Sequence, residues 1–366
     1  MSWPASADLL APLAPWFDCV RRDLPWRAGD LDALHPDPYA VLVSELMLQQ
    51  TQVATVIPYF TRWMERFPNP GALAEAHEDT VHKAWEGLGY YRRARFLKAA
   101  AGCIAAEGWP GDLEGLAELP GLGPYTAAAV GAIAFQWPTP ALDGNAFRVL
   151  ARLLLIEGDP KIRAVDLRVW LAPALAAHGP SRMTQALMEL GATVCTPTPD
   201  CGACPLADRC LARLANRTEE IPPVAKRAKP KASSLWLVAM EADGHVLLHA
   251  PVAKGLLAGL WRWPALDAET IPAQPIAPGA PSLTAWPGWT QVYTHRREAV
   301  SPLHLRLEAR FEAAAGLHWV PLAQLSALPL GKRDQRLRDL LATPGQTPIE
   351  VPDPAAFIRA CAVPSA

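Results

Sequence analysis

Apolar residues recur at helical spacing through the first 216 positions of the chain. The clearest segments are 41–60, 97–106, 125–135, 146–155 and 183–194. Turn-forming clusters of proline, glycine and asparagine, such as 68–71 and 108–111, separate these segments. The pattern therefore predicts an all-α domain over residues 1–216.

The pattern changes after a charged, proline-containing stretch at 217–233, which we interpret as a linker. Apolar segments at 235–240 and 246–249 flank Asp243-Gly244, a typical hairpin signal. Strands are also predicted at 292–294 and 304–311, and helices at 322–328 and 333–341. We therefore expect an α+β domain over 234–345, followed by a proline-rich and poorly ordered tail at 346–366.

Composition supports two folded domains without a membrane span. Hydrophobic residues make up 51% of the 366 residues and charged residues 19%, with 14 tryptophans, so substantial cores can form. No apolar run approaches the length of a membrane span, and the N-terminus lacks a basic segment before an apolar one. We expect a cytoplasmic protein without membrane contact.

The charge distribution limits how this chain can bind nucleic acid. Its net charge is −2, and residues 1–216 carry 18 Lys and Arg against 23 Asp and Glu, so any DNA contact there must be local. Two basic groups stand out, although each is equally consistent with a solvated surface. They are Arg92, Arg93, Arg95 and Lys98, and Lys226, Arg227, Lys229 and Lys231.

Four cysteines lie close together near the end of the helical region, with intervals of five, two and five residues: Cys195, Cys201, Cys204 and Cys210. Without a secretory signal, such a cluster indicates a metal centre and not disulfides. Its unequal spacing favours an iron–sulfur cubane over zinc, although four unrelated cysteines remain an alternative. The other cysteines, Cys19, Cys103 and Cys361, are expected to be small buried residues or free thiols.

A glycine-rich turn in LPGLGPYTAAA (119–129) separates two helices and defines a helix-hairpin-helix at 112–135. Gly121 and Gly123 permit a tight hairpin whose bare amides point the same way as the N-terminus of the next helix. Such a turn can bind a phosphate without a cationic side chain, which would reconcile an acidic domain with DNA binding. An ordinary helix–helix turn would have the same sequence features.

Two carboxylates stand out in otherwise uncharged surroundings. Glu45 is the acidic residue of SELMLQQTQV, where a partly dry pocket would raise its pKa and make it a general acid. Pairing with a buried arginine is the structural alternative. Asp143 precedes Gly144 and a predicted helix. Its carboxylate can either cap that helix or take part in the chemistry.

Together these motifs resemble the endonuclease III superfamily of DNA glycosylases, and within it the adenine-specific MutY family. The resemblance is continuous from about Leu24 to Cys210. It is carried by SELMLQQTQVATVIPYF, GLGYY, LPGLGPYTAAA, LDGN and MELGATVC, in that order. It implies a DNA glycosylase in base excision repair, with a [4Fe-4S] cluster on the four cysteines and duplex DNA as its partner.

The resemblance also implies roles for individual residues in excising adenine opposite 8-oxoguanine or guanine. Glu45 would protonate N7 of an adenine flipped out of the duplex, and Asp143 would stabilise the oxocarbenium-like sugar or bond to it briefly. Asn145 would position Asp143 or the attacking water. Tyr125 replaces the lysine with which bifunctional relatives form a Schiff base, so we expect an abasic product without strand cleavage.

DNA-binding roles follow in the same way. By resemblance, Trp26, Arg27, Leu48 and Glu189 would line the adenine pocket, Tyr90 would wedge into the base stack, Gln50 and Thr51 would contact the opposing strand, and Gly121 and Gly123 would grip a phosphate. We expect the enzyme to act as a monomer.

The second domain resembles the Nudix-like C-terminal module of this family through GLLAGLWRWPA (255–265). A run of glutamates that would hold magnesium is missing, so we expect a lesion reader and not a hydrolase. In the family, an aromatic-Ser-His loop helps to recognise 8-oxoguanine. We assign it to 300–304, with Ser301 as the contact, although valine and proline replace the aromatic residue and the histidine.

One departure concerns the cluster. The interval between the first two cysteines is five residues where the family has six, so a distorted or oxidation-sensitive cluster is compatible with the sequence. Three other functions remain as alternatives: a glycosylase for mismatched thymine or an oxidised pyrimidine, a non-catalytic DNA-binding or redox-sensing iron–sulfur protein, and a Nudix hydrolase. The second domain, Tyr125 and the two carboxylates disfavour the first two, and the missing glutamates disfavour the third.

Overall fold

The computed structural model describes residues 3–223, 230–253, 255, 257–269, 274–275, 282–293, 295–345, 350–351 and 354–362. The chain forms two compact units, of which the first comprises Met1–Ala76 and Arg93–Lys226 and the second His77–Arg92 and Arg227–Ala366. Within the described residues, no helix combines the length and apolarity that crossing a bilayer requires.

Helices make up the first unit. They are α1 (Ser6–Leu10), α2 (Leu13–Val20), α3 (Pro38–Leu48), α4 (Val53–Arg66), α5 (Pro70–Glu75), then, after α6 (Glu78–Ala84) of the second unit, α7 (Arg92–Glu107), α8 (Leu113–Glu118), α9 (Pro124–Phe135), α10 (Gly144–Leu153), α11 (Ala164–His178), α12 (Pro180–Thr193) and α13 (Leu211–Leu214). Short 3-10 turns occur at Pro160–Arg163, Cys201–Ala203 and Ala207–Arg209. The predicted all-α architecture is confirmed for this unit.

The predicted helical segment 41–60 is two helices, α3 and α4. The chain turns between them, where Gln50 adopts a left-handed backbone with φ of 57°. Buried Arg93 stabilises this break because its guanidinium donates to the carbonyls of Leu46, Met47 and Gln49 at 2.6 to 2.9 Å. These include the last carbonyls of α3, which lack partners within the helix.

Packing of small residues brings the later site residues together. In α9, Ala127, Ala129 and Val130 are fully buried, so the neighbouring α3 can approach closely. A second core unites α2, α10, α11 and α12 around Phe17 and Leu150. Both arrangements place helix ends around one cavity, described below.

The second unit is built on a mixed β-sheet. Its strands are β1 (Lys231–Ala242), β2 (His245–His249), β3 (Ala265–Asp267), β5 (Ser282–Ala285), β6 (Trp289–Val292), β7 (Arg296–Arg306) and β8 (Leu317–Pro321), while β4 (Gln274–Pro275) and β9 (Glu350–Val351) pair separately. The strand order is β5-β7-β1-β2-β8, in which β1 and β7 are parallel. Helices α14 (Lys332–Leu340) and α15 (Pro354–Cys361) complete the predicted α+β character.

Three expectations about chain organisation differ from the structure. Residues 77–92 group with the second unit, where Glu86 accepts from the Leu330 amide at 3.0 Å. The predicted linker is shorter at both ends, because Ile221 is buried in the first core and β1 begins at Lys231. The prediction of a poorly ordered tail is wrong for α15, whose Phe357 is fully buried.

The expectation that 300–304 form a loop also differs from the structure. These residues form the middle of β7, where Ser301 pairs with Trp236 of β1. Pro302 fits this strand because β6 pairs only as far as Val300, and β5 pairs from Leu303 onward. No neighbour on that side needs the amide that proline lacks.

Candidate active site

A cavity of about 640 Å³ lies among the helices of the first unit. Ten of the residues that the sequence assigned to a site line it: Trp26, Arg27, Glu45, Leu48, Gln50, Thr51, Tyr125, Asp143, Asn145 and Glu189. They come from the segment before α3, from α3 and the turn after it, and from α9, α10 and α12. Segments far apart in sequence therefore form a single candidate active site.

Glu45 is held in a dry environment beside Tyr125. Its side chain is buried, and the Tyr125 hydroxyl donates to Glu45 Oε2 at 3.0 Å. Burial raises the pKa of Glu45 to about 7; the Tyr125 hydrogen bond opposes this rise, and nearby Asp143 adds to it. Glu45 is therefore part protonated near neutral pH, as a general acid requires.

Asp143 both caps α10 and faces the cavity. Its Oδ1 accepts from the Ala146 amide at 2.7 Å, so the capping alternative is correct without excluding chemistry. Burial raises its pKa, while hydrogen bonds from Ala146 and from Asn145 oppose that rise. Asn145 in turn accepts from Arg148 Nη2 at 2.8 Å, which fixes the amide beside the carboxylate.

A paired arginine clamp forms another wall. Glu189 is 1% exposed and accepts from Arg27 Nη2 at 2.8 Å and from Arg22 Nη2 at 3.1 Å. Although burial alone would raise the pKa of Glu189, the two guanidiniums hold it below its usual range. This carboxylate therefore stays ionised, unlike Glu45. Trp26 lines the cavity nearby and packs edge-on against Phe60, with 5.3 Å between the ring centroids.

Gln50 and Thr51 lie at the cavity's edge on the turn that Arg93 supports. Gln50 is exposed, and Thr51 Oγ1 accepts from Arg93 Nη2 at 3.3 Å. The suggestion that Arg93 and Lys98 form a DNA-binding patch is not supported, because Arg93 is buried and Lys98 Nζ donates to the Ala74 carbonyl at 2.6 Å. Of the linker cluster, Lys231 is described, and 226–229 lie outside the described residues.

The predicted hairpin connects α8 to α9. Gly121 has φ of +80°, and a Cβ there would meet Phe96 at 2.3 Å, so this position requires glycine. Both Gly121 and Gly123 are exposed. Within the described part of the chain, their amides find no protein acceptor. The turn thus offers exposed N–H donors beside the N-terminus of α9.

Tyr90 belongs to the second unit and precedes α7. It is 48% exposed and has a left-handed backbone with φ of 48°. Its exposure and restricted backbone suit a residue that contacts a ligand from the surface, and its wedge role stays a prediction.

The cysteine loop provides a donor set suited to a cluster. The thiols are close enough that Cys195, Cys201 and Cys210 each affect the Cys204 thiol, whose pKa burial raises to about 11. Across the described residues, no three His, Cys, Asp or Glu side chains are gathered as ligands of a single ion. A cubane needs a wider arrangement, because each cysteine binds a different iron atom. Thiolates are the ligands that iron–sulfur clusters use, so the chemistry of these four side chains is compatible with such a group.

Arg152 ties this loop to α10. Its guanidinium donates to the Thr196 and Pro197 carbonyls at 2.6 and 2.9 Å, and Nη1 lies 3.4 Å from Cys195 Sγ. Since Asp143 caps the same helix, the cysteine loop and the cavity share one rigid element.

Sequence reasoning missed several lining residues. Arg22, Lys161, Gln185 and Met188 also face the cavity. No local motif marks Arg22 or Lys161, since each is an ordinary surface-type residue until the fold is known. Gln49 also lines the cavity, where its Nε2 donates to Thr126 Oγ1 at 3.1 Å.

The second unit contains another aromatic–hydroxyl–histidine sequence. In Tyr293-Thr294-His295, Tyr293 directly follows β6 and His295 directly precedes β7, whereas Ser301 lies within β7. Tyr293 is half-buried and His295 is exposed; Thr294 lies outside the described residues. The sequence contains this pattern, but choosing it over 300–304 required the strand boundaries, which the sequence did not reveal.

Comparison with known proteins agrees with this fold. Residues 43–173 match the family of HhH-GPD superfamily base excision DNA repair proteins. A solved thermostable thymine-DNA glycosylase is similar in structure, with a TM-score of 0.50 and 25% identity over 57% of this chain and 96% of that one. The helical unit is therefore of the helix-hairpin-helix DNA glycosylase class.

Curated relatives define the family more narrowly. The chain is 33% identical to the adenine DNA glycosylase of Schizosaccharomyces pombe, over 75% of this chain and 73% of that protein. It is 38% identical to the human adenine DNA glycosylase, over 70% of this chain and 57% of that protein, and so spans little more than half the human relative's length. The chain belongs to the adenine DNA glycosylase family.

Proposed function

We propose that this protein is a monofunctional adenine DNA glycosylase that removes adenine opposite 8-oxoguanine or guanine. The observation that carries this proposal is the pair of carboxylates in one cavity, where Glu45 has a pKa raised to about 7 and Asp143 is fixed by a helix N-terminus. Two carboxylates with separate environments suit glycosidic bond cleavage, in which one donates a proton and the other stabilises positive charge.

Glu45 supplies the proton in this scheme. A flipped adenine enters the cavity and receives the Glu45 proton at N7, which makes the base a neutral leaving group as the C1′–N9 bond breaks. Ionised Asp143 faces the oxocarbenium-like sugar. Water then attacks C1′ and gives its proton to the Glu45 carboxylate, which restores the acid and leaves an abasic site and free adenine.

Surrounding groups bind and orient the base. Tyr125 holds the Glu45 carboxyl in place, and Asn145 fixes Asp143. The ionised Glu189 with Arg27 provides acceptors and donors beside the base, and Trp26 and Leu48 supply apolar surface. No lysine occupies the Tyr125 position, so this site favours hydrolysis without a Schiff base.

DNA contacts are proposed for three surfaces. The Gly121 and Gly123 amides bind a phosphate, the exposed Gln50 with Thr51 contacts the opposing strand, and Tyr90 enters the base stack. We assign lesion reading to Tyr293 and His295 because they lie next to the ends of β6 and β7, whereas Ser301 lies within β7. Residues Cys195, Cys201, Cys204 and Cys210 hold a [4Fe-4S] cluster, which stiffens their loop when bound.

The experiment measures free adenine released under single-turnover conditions from duplexes with adenine opposite 8-oxoguanine, guanine or thymine. We expect release in the order 8-oxoguanine, guanine, then thymine with almost none. A duplex with thymine opposite guanine serves as the alternative substrate, and release of thymine alone would refute the assignment.

Variants separate the two lesion assignments. His295→Ala should reduce the preference for 8-oxoguanine over guanine, because an exposed donor at a strand end is removed, while Ser301→Ala should leave it unchanged. The reverse pattern would restore the Ser301 assignment. The iron content of the purified protein and its visible absorbance test the cluster, with four iron atoms per chain expected.

A further inference from the structure

The second unit contains a polar pocket that shares Tyr293 with the proposed lesion-reading pair and otherwise consists of residues without a role in the proposed reaction. Its volume is about 210 Å³, and its wall includes Arg262, Arg296, Arg333, Glu298 and Tyr293. Three guanidiniums around so small a space are unusual for a pocket without a function, since like charges repel each other unless they are compensated. Their partners decide what the pocket can bind.

The carboxylates nearby do not balance the arginines. Arg333 is 8% exposed and lies 3.4 Å from Glu298 and 3.3 Å from Asp334. Arg296 donates to the same Glu298 at 3.2 Å. Two carboxylates therefore serve three guanidiniums, and the group keeps one net positive charge.

Arg262 interacts electrostatically with Asp334, the carboxylate that also pairs with Arg333. Its Nε is buried and finds no hydrogen-bond partner among the described residues. Its backbone is fixed against β2, where the His249 amide donates to the Arg262 carbonyl at 2.8 Å. A buried N–H that lacks an acceptor costs free energy, so the site is better satisfied when an anion is present.

Neighbouring groups add neutral donors. Burial raises the pKa of Tyr293 to about 12, so its hydroxyl remains protonated and can donate. Burial and Arg262 both lower the pKa of His249, which is therefore uncharged at neutral pH and does not repel Arg262. The pocket volume of 210 Å³ equals roughly seven liquid-water volumes of about 30 Å³, enough for a phosphate group and its remaining hydration.

We propose that this pocket binds a phosphate group, held by the Arg262 and Arg296 guanidiniums with the Tyr293 hydroxyl. Guanidinium forks match phosphate oxygens in pairs, which gives the site both charge and shape selectivity. The phosphate can come from a free nucleotide or from a DNA strand. The inference rests on the second unit alone and stands whether or not Glu45 and Asp143 act as proposed.

The test uses the full-length, cluster-containing protein and titrates inorganic phosphate, deoxyguanosine monophosphate and an undamaged duplex by calorimetry. Arg262→Gln and Arg296→Gln are compared with Arg306→Gln, an arginine on β7 whose side chain is 64% exposed and which does not line the pocket. Thermal midpoints without ligand establish that each variant is folded. Because Arg296 is 51% exposed, its replacement is expected to leave the fold intact.

We expect each pocket variant to weaken phosphate or nucleotide binding about tenfold or more, and Arg306→Gln to change it little. If the source is a nucleotide, the monophosphate competes with inorganic phosphate and duplex affinity is unchanged. If the source is DNA, the affinity of the pocket variants for the undamaged duplex falls, and the salt dependence of that affinity decreases by about one ion. Either pattern supports the pocket. The proposal is overturned if, for each of the three probes, the folded wild type, the pocket variants and the control bind with equal affinity.

Discussion

The Tyr125 hydroxyl donates a hydrogen bond to Oε2 of Glu45 at 3.0 Å, deep in the cavity of the helical unit. This contact favours the ionised carboxylate, whereas burial favours the protonated acid, and burial is the larger effect. The resulting pKa of about 7 lets Glu45 hold a proton at neutral pH. Tyr125 therefore offsets part of the rise in the Glu45 pKa that burial causes.

Removing that hydroxyl should move the alkaline limb of the pH profile. In Tyr125→Phe, the ionised form of Glu45 loses a donor, so its pKa rises and the excision rate declines at a higher pH than in the wild type. Single-turnover rates across pH measure this shift. Tyr91→Phe, whose hydroxyl bonds the Leu330 carbonyl in the second unit, should leave the limb unchanged. A limb that moves to lower pH would contradict the role of Tyr125.

Glu45 should also cost stability as pH rises. Its pKa is raised in the folded protein, so its favourable contribution is present below the unfolded value of 4.5 and is lost as pH increases through about 7. Glu45→Gln should therefore stabilise the protein more at pH 8 than at pH 5, by roughly 1–3 kcal/mol. Chemical denaturation at both values measures this, with the exposed Glu65→Gln as a control. An equal gain at both pH values would show that Glu45 is not perturbed.

Asp143 has a structural and a chemical role that one substitution separates. Asparagine caps helices nearly as well as aspartate, so Asp143→Asn should fold normally. Without the anion, base removal should slow by roughly a hundredfold to ten-thousandfold. Asp112→Asn is the matched control, because Asp112 caps α8 in the same way by accepting from the Gly115 amide at 2.8 Å. If both variants keep full activity, Asp143 is only a cap.

Gly191 sets the position of Asn145. A Cβ at Gly191 would lie 2.6 Å from Asn145 Cβ, so Gly191→Ala must displace the residue that fixes Asp143. We expect Gly191→Ala to lower the free energy of unfolding by about 1–3 kcal/mol and to slow excision. Gly102→Ala, in α7 with no atom within 4 Å of the added carbon, should stabilise by about 0.5–1 kcal/mol without changing the rate. Equal excision rates for the two variants would show that the position of Asn145 does not affect the reaction.

The sequence allowed much of the helical unit to be predicted, because its signals are local. Helical periodicity, the Gly121 hairpin and the capping motif at Asp143 each depend on neighbours in the chain. The role of Arg93 depends on three carbonyls over forty residues away, and a basic cluster has the same appearance whether its arginines are buried or exposed. Charge alone therefore predicted neither the burial of Arg93 nor its role in supporting the turn after α3.

The second unit was harder to predict because its decisive features are strand pairings. The family resemblance placed 300–304 in a loop, yet Pro302 lies where β7 exchanges one antiparallel neighbour for another. The grouping of 77–92 with this unit likewise depends on contacts such as that between Glu86 and Leu330, which no periodicity reveals.

The most direct test is single-turnover cleavage of a duplex with adenine opposite 8-oxoguanine, in which each time point is divided and one half is treated with alkali. Wild-type protein should give strand breaks only after alkali, and Glu45→Gln and Asp143→Asn should give far fewer. Breaks without alkali would reveal a Schiff base, for which Lys161 at the cavity wall is the residue to replace. No breaks in either half, from protein with its cluster intact, would contradict adenine excision.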